Sequence, residues 1–351
     1  MERDLPALGK IPSSFFDRVI FPRLGRPDAS VLVGPKHGVD IGVVDLGNGQ
    51  VMAVTTDPFF IVPAYGWARS GWFAVHILAS DAATSGLRPR YMSIDLNLPP
   101  SMTEADIEAM WQATHEACDA IGINVVTGHT GRYTGCDFPM VGGCTVMALG
   151  AKDQYVASGM SRVGDAVLMT KGCAIEAAGL MAVSFPAKVA KALGADLAKR
   201  AEGIFWKMST VEDSMIAVSV GVRDRGITAM HDATECGVLG GLYEMALAAT
   251  VGMRIDHAAI PLDPDIARIC QHFGMDPYTS ISEGTLLATC VASRADDVLA
   301  AWKAKGIVGA RIGECTKELG VFVEQGGAKQ KLEHPRIDPF WAAFDRAATT
   351  P

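Results

Sequence analysis

Apolar and polar positions along this chain switch repeatedly between a period of two and a helical period, which marks short strands alternating with helices. VLVGPKHGVDIGVVD (31–45) reads as two short strands around a glycine-bearing loop, and VMAVTTD (51–57) as a strand closed by Pro58. Helical spacing follows over 67–85, with Gly86 placed to end it. RYMSIDLNL (90–98) alternates as a strand, and 103–121 is helical again, with acids in its first turns and Gly122 after it. INVVTG (123–128) reads as a buried strand running into a loop, and FPMVGGCTVMALG (138–150) as another strand. The polar stretch SGMSRVGD (158–165) then precedes a second series.

In that second series AVLMTKG (166–172), ITAMHD (227–232), GMRIDH, GTLLATC and ARIGEC read as strands. Helices are expected over 174–193 (single, or a pair broken at Pro186), 209–224, 234–249 and 295–305, before an aromatic-rich tail, HPRIDPFWAAFDRAATTP. The expected class is α/β (α+β) in two domains, 1–155 and 156–351.

Composition narrows the function classes. At 351 residues the chain exceeds one ordinary core. Its 49% apolar and 20% charged content suits a folded globular protein. A net charge of −8 disfavours a nucleic-acid partner, so a bound nucleotide would have to be met by cations or backbone N–H groups. The opening MERDLPALGK has no apolar core behind it, and the longest uncharged stretch, 138–151, is too short to span a bilayer. Eight cysteines without a CxxC pair read as small buried residues of a reduced, cytoplasmic protein.

Several acids stand where an acid is costly or useful. Ala74, Ile77, Leu78, Asp81 and Ala82 share one stripe of their helix, so Asp81 sits on the apolar face. It needs a salt bridge, a capping bond or a metal. Asp57 ends a strand, either as a turn aspartate or as a ligand contact. Asp40 follows the loop 34–38, whose Lys36 and His37 could meet a phosphate. GHTGRY (128–133) offers His129, Thr130 and the forked donor Arg132. In HDATECG (231–237), Asp232 ends a strand and Glu235 falls in the expected first turn of a helix, as ligand or as dipole partner. Cys236 beside it reads as structural. Hard carboxylate oxygens from Asp40, Asp57, Asp81 and Asp232 suit Mg²⁺ and fit Zn²⁺ poorly.

Taken in order, these segments resemble the PurM-like, aminoimidazole-ribotide (AIR) synthase-related superfamily, which includes the hydrogenase-maturation factor HypE, selenophosphate synthetase and thiamine-monophosphate kinase. GVDIGVVD is similar to the family's GDDAAV, TTDPFFIVP to its TTD motif, and ASDAATSGLRPRYM to its SD-A-GA-P helix end. GHT stands where the family has GDT. HDATECGVLGGLYEMA resembles the HypE segment DPTRGG…NE-A, and FGMDPYTSISEGTLLA its GLDP…NEGK. The likeness spans about Gly34 to Val323 and is nearest to HypE.

The resemblance implies a two-domain PurM-like fold whose N-terminal sheet domain forms a homodimer and binds ATP near the interface. It implies Mg²⁺–ATP on Asp40, Asp57 and Asp81, with Thr130 in support and Asp232 and Glu283 facing it from the second domain. The implied activity is ATP-dependent phosphorylation or activation of an oxygen on a small-molecule, amide-like or phosphate substrate. A non-catalytic nucleotide- or partner-binding protein is the alternative, and a metal-delivery module a third. Three departures stand out. His129 replaces the GDT aspartate, Gly131 takes the place of the HypE lysine, and Asp338 stands where the HypE tail has its reactive cysteine. HypE chemistry on this chain's own tail is therefore not expected.

Overall fold

The computed structural model describes residue 11 and residues 13–350; the opening segment 1–10, on which the absence of a leader was read, lies outside the described residues. After the short helix α1 (Ser13–Phe15), the first half contains β1 (Val31–Val33), β2 (Gly42–Gly47), β3 (Gln50–Phe60), α2 (Trp67–Ala83), β4 (Pro89–Leu98), α3 (Glu104–Ile121), β5 (Asn124–Arg132) and β6 (Met140–Ala151). Its strands form one sheet in the order β1-β2-β3-β6-β4-β5, antiparallel except for the β4–β5 pair.

Helices α2 and α3 cover one face of this sheet. Leu78, Ala82 and Met110 pack there against Ile94, Leu96 and Val146. The helices approach closely because position 71 is glycine, where a Cβ would stand 2.6 Å from the Ala113 methyl. The start of α3 is fixed by a capping box between Thr103 and Asp106, and its end by Gly122 in the left-handed region (φ 78°). On the opposite face Met52, Val54, Tyr91, Ser93, Thr145 and Met147 are only partly covered.

The second half contains β7 (Ala166–Thr170), α4 (Ile175–Ser184), α5 (Pro186–Leu193), α6 (Ala195–Glu202), α7 (Val211–Ser219), β8 (Ile227–Asp232), α8 (Gly237–Ala249), β9 (Gly252–Asp256), α9 (Pro264–Phe273), β10 (Leu286–Cys290), α10 (Ala295–Ala304), β11 (Gly309–Thr316), β12 (Gly320–Gln325), β13 (Ala328–Lys331) and α11 (Pro339–Thr349). The sheet order is β13-β12-β9-β11-β7-β10-β8. Around β7, β10 and β8 both faces are covered. One carries the largest core, built with α4, α6, α8, α9 and α11, and the other packs Leu168, Met230 and Ala288 against Val298 and Trp302 of α10. Residues of β7, β8 and β10 are buried without alternation, as a strand packed on both sides requires.

The structure corrects three local expectations and adds an element to the tail. Pro58 does not close β3, which runs on to Phe60. The last β2 partner is Val54, so beyond it one side of β3 lacks a neighbour and a residue without an N–H is tolerated. The segment 123–128 is not a buried strand leading into a loop. Residues 124–128 lie in β5, the exposed outer strand, which carries GHTGR within it, while Ile123 before it is buried. Helix α8 begins at Gly237 rather than Thr234, because Cys236 adopts a left-handed conformation (φ 67°) and breaks the helical run. The aromatic tail is a helix, α11, docked in the core.

Candidate active site

Four carboxylates that are far apart in sequence meet where the two halves join. Asp40 precedes β2, Asp57 lies in β3, Asp81 on the last turn of α2, and Asp232 ends β8. Burial raises the Asp81 carboxyl well above the ordinary carboxylate range, and the negative charges of Asp232, Asp40 and Asp57 add to the shift. Against this acts one hydrogen bond, donated by Thr55 Oγ1 to Asp81 Oδ2 at 3.2 Å. Asp81 thus stands on the apolar helix face, as its spacing implies, and its companions there are other acids.

Glu283 joins the cluster from the turn before β10. It is 2% exposed, and burial holds its carboxyl well above the usual value, helped by Asp232, Glu176 and Asp81. Its side chain bonds Ser80 of α2, and Ser80 Oγ also accepts from Thr210 N–H at 3.0 Å, which ties the two halves together at the site. Lys171 supports the same turn from below. Its ammonium donates to the carbonyls of Ser209 (2.6 Å) and Gly284 (2.7 Å) and pairs with Asp213 at 3.0 Å.

Three participants were not read from the sequence. His231 is buried between two acids, Nδ1 at 2.7 Å from Asp40 Oδ2 and Nε2 at 3.0 Å from Glu244 Oε2. Burial works against its charge, but the two carboxylates outweigh it and hold the imidazole well above its ordinary value. Glu244 lies on α8. Glu176, the single acid of the apolar helix α4, accepts from the Glu283 N–H at 3.1 Å, and burial lifts its carboxyl to about 8. The signal for Glu176 was present as the one charged residue of an apolar helix, while His231 stood beside Asp232 at the end of its strand.

Glu176 yields a pH prediction. An acid whose folded pKa lies near 8, against an ordinary 4.5, favours the folded state while protonated. Its contribution is full below about pH 4.5 and is lost as pH rises toward 8. Glu176→Gln should flatten the fall in melting temperature between pH 5 and pH 8; an unchanged slope would count against the assignment.

The other sequence candidates are placed elsewhere. His129 and Thr130 lie on the exposed strand β5, with His129 Nε2 at 2.7 Å from the Tyr133 hydroxyl. The register Asp57–Cys144–Ile94–Gly128 sets β5 three strand spacings from β3, about 14 Å. Arg132 donates to the carbonyls of Pro100 and Met102. Lys36 donates to the Ala248 carbonyl at 2.6 Å, at the C-terminal end of α8, where a cation suits the helix dipole. Glu235 is not in a first helical turn. It accepts from the Trp341 indole N–H at 3.2 Å, because the 233–236 turn is held by the tail. Of these groups Glu235 is the one whose charge reaches a site acid, Glu176.

The donor set fits a hard divalent cation bound with a polyphosphate. Clustered carboxylate oxygens of this kind repel one another, and an ion with open positions for waters and phosphate oxygens relieves that repulsion. Asp40, His231 and Asp232 each present a ligand atom, all within 4.8 Å of one another. Among the described residues no helix is long and apolar enough to cross a membrane.

Comparison with known proteins agrees with this architecture. Residues 38–157 match the N-terminal domain of AIR synthase related proteins, and residues 162–325 match their C-terminal domain. The carbamoyl dehydratase HypE of Rhizobium leguminosarum bv. viciae is 27% identical over 302 residues, covering 82% of this chain and 80% of the relative. Two solved folds superpose. HypE in complex with ATP gives a TM-score of 0.65 at 21% identity, covering 93% of each chain. The thiamine monophosphate kinase of Aquifex aeolicus gives 0.62 at 20% identity, covering 81% of this chain and 90% of its own. With both domain models matched in order and a PurM-like pair of sheets joined at one acidic site, the chain belongs to the AIR synthase-related family.

Proposed function

We propose that this protein is an ATP- and Mg²⁺-dependent enzyme that phosphorylates or activates an oxygen on a small-molecule acceptor, amide-like or phosphate. The observation that carries the reading is the meeting of Asp40, Asp57 and Asp81 from the first half with Asp232 and Glu283 from the second. The ATP complex of HypE and the kinase name of the second structural relative support the same reading. Magnesium, when bound, supplies charge neutralisation at the transferring phosphoryl group. Asp40, Asp57, Asp81 and Asp232 would hold it. Burial and neighbouring acids favour the protonated form of Glu283, and in that form it can donate a hydrogen bond to a substrate oxygen. We assign nucleotide binding and dimerisation to 1–155 and the facing acids to 156–351.

Calorimetric titration of the whole protein with ATP and Mg²⁺, followed by phosphate release with carboxamide and phosphate acceptors, tests this. Binding at micromolar affinity is expected, and no binding at millimolar ATP ends the reading. Binding without turnover on any acceptor would favour the non-catalytic alternative, for which the exposed His129 in place of an acid is the motivating feature.

A homodimer is part of the proposal. The partly covered sheet face with Met52, Val54 and Met147 suits pairing with a second copy. Such pairing is the route by which β5 groups such as His129, Thr130 and Arg132 would approach a nucleotide. A monomer in light scattering at micromolar concentration would argue against it.

A further inference from the structure

We propose that Asp40, His231 and Asp232 form a binding site for a divalent transition ion (Mn²⁺, Co²⁺ or Zn²⁺), with His231 as the nitrogen ligand and Glu244 as its outer partner. This deepens the proposed metal site, and it adds a ligand type that Mg²⁺ does not favour.

Three observations carry it. The ligand atoms of Asp40, His231 and Asp232 converge within 4.8 Å, and His231 and Asp232 are buried at 3% and 0% exposure. The imidazole bridges two carboxylates, and a bound ion would take the place of the Nδ1 proton. Nδ1 faces the Asp40 carboxylate at 2.7 Å, while Nε2 meets Glu244 Oε2 at 3.0 Å. In protein metal sites a ligating histidine characteristically donates its second N–H to a carboxylate, which fixes the tautomer and raises ligand basicity. Here Glu244 is placed for that role, leaving Nδ1 to the ion.

The third observation is the backbone around the ring. A Cβ at Gly241 would stand 2.8 Å from Leu287 Cδ1 and 3.2 Å from His231 Cδ2, so glycine there gives room to both side chains. At Gly38 (φ +70°) a Cβ would fall 2.6 Å from the Glu244 carbonyl oxygen, so only glycine lets the Asp40 loop lie against α8. Two oxygens and one nitrogen leave positions open for waters or phosphate oxygens. A mixed N/O set of this kind holds transition ions with affinity rising from Mn²⁺ through Co²⁺ to Cu²⁺ and falling again at Zn²⁺.

The test uses metal alone, without nucleotide. The full-length protein, stripped with chelator, is titrated with Co²⁺ while its visible absorption is followed, and Zn²⁺ is titrated by competition. One equivalent per chain is expected. His231→Gln should weaken Co²⁺ binding by at least about 10-fold, and Glu244→Gln by roughly 10- to 100-fold. Should His231→Gln fail to fold, Glu244→Gln still decides, as does broadening of the His231 ring resonances by Mn²⁺ in the unmodified protein. Equal Co²⁺ affinity in wild type and Glu244→Gln, or Mn²⁺ leaving the His231 signals untouched, overturns the proposal. If Mg²⁺–ATP binds but Co²⁺ alone does not, this inference fails while the nucleotide reading stands. If Co²⁺ binds through His231 and ATP does not, the reverse holds.

Discussion

Asp81→Asn is expected to weaken Mg²⁺–ATP binding by roughly 100- to 1000-fold and to raise the melting temperature of the nucleotide-free protein. The two effects share one cause. Asp81 is held among Asp40, Asp57 and Asp232, and burial plus their charges push its carboxyl well above the usual range. Without a cation the ionised side chain is a liability, and asparagine removes it while keeping the shape and an acceptor for Thr55. With the cation the same carboxylate becomes a ligand, and losing one partner of a buried ionic group costs about 3–5 kcal/mol, hence the expected drop in affinity.

The pH dependence follows from the direction of the shift. An acid raised in the folded state stabilises the fold at low pH, and that contribution fades as pH climbs from about 3.8 through the folded value. Wild-type protein without nucleotide should therefore lose stability toward neutral pH more steeply than Asp81→Asn. Differential scanning fluorimetry with and without Mg²⁺–ATP reads both effects. A variant that keeps full nucleotide stabilisation would remove Asp81 from the site.

Phe340→Ala should destabilise the protein by about 3–5 kcal/mol and lower its melting temperature by roughly 6–20 °C. Phe340 is 2% exposed and packs with Phe344 (ring centroids 5.5 Å apart) in the largest core. Its loss leaves a cavity that the surrounding helices cannot close, and the whole fold has only about 5–15 kcal/mol in hand. The consequence reaches the site, because α11 anchors the segment before it. Asp338 caps α11 by accepting from Phe340 N–H at 2.8 Å, and its other oxygen accepts from Cys236 N–H at 2.7 Å. Cys236 Sγ donates to the Pro335 carbonyl at 2.6 Å, and Trp341 holds Glu235. The turn after Asp232 is thus pinned by the tail.

This gives a physical ground for the departure noted at Asp338. In HypE-like sequences that place belongs to a reactive cysteine on a tail. Here the residue is 1% exposed, and burial lifts its carboxyl to about 6 even though the backbone N–H groups of Phe340, Cys236 and Ile281 favour the charge. A side chain clamped between a helix start and a neighbouring turn is a structural cap, not a mobile carrier. Guanidinium melts of wild type and Phe340→Ala measure the core term, and a difference below about 1 kcal/mol would sink the account.

Much of this protein was legible in its sequence. Alternation and helical spacing determined both α/β series, including α2, α3, β4 and β6, since these elements bury one face and local pattern follows burial. The misfit acid Asp81 and the acids Asp57 and Asp232, both read as strand ends although Asp57 lies within β3, could be picked out because a charge beside apolar residues needs a partner. Tertiary structure alone decided who that partner is. Asp40 meets His231 across 191 positions of chain, and Glu283 meets Ser80 across two domains, separations that no local pattern encodes. It also decided where loops and edges fall. GHTGR looked like a ligand loop, yet it pairs with β4 as the outer strand, because strand pairing depends on what lies alongside. Lys36 and Glu235 were chosen for their charge, and the fold committed that charge to a helix end and an indole instead. Acids at the junction were thus a property of the sequence, while their assembly into one site, with a histidine among them, was a property of the fold.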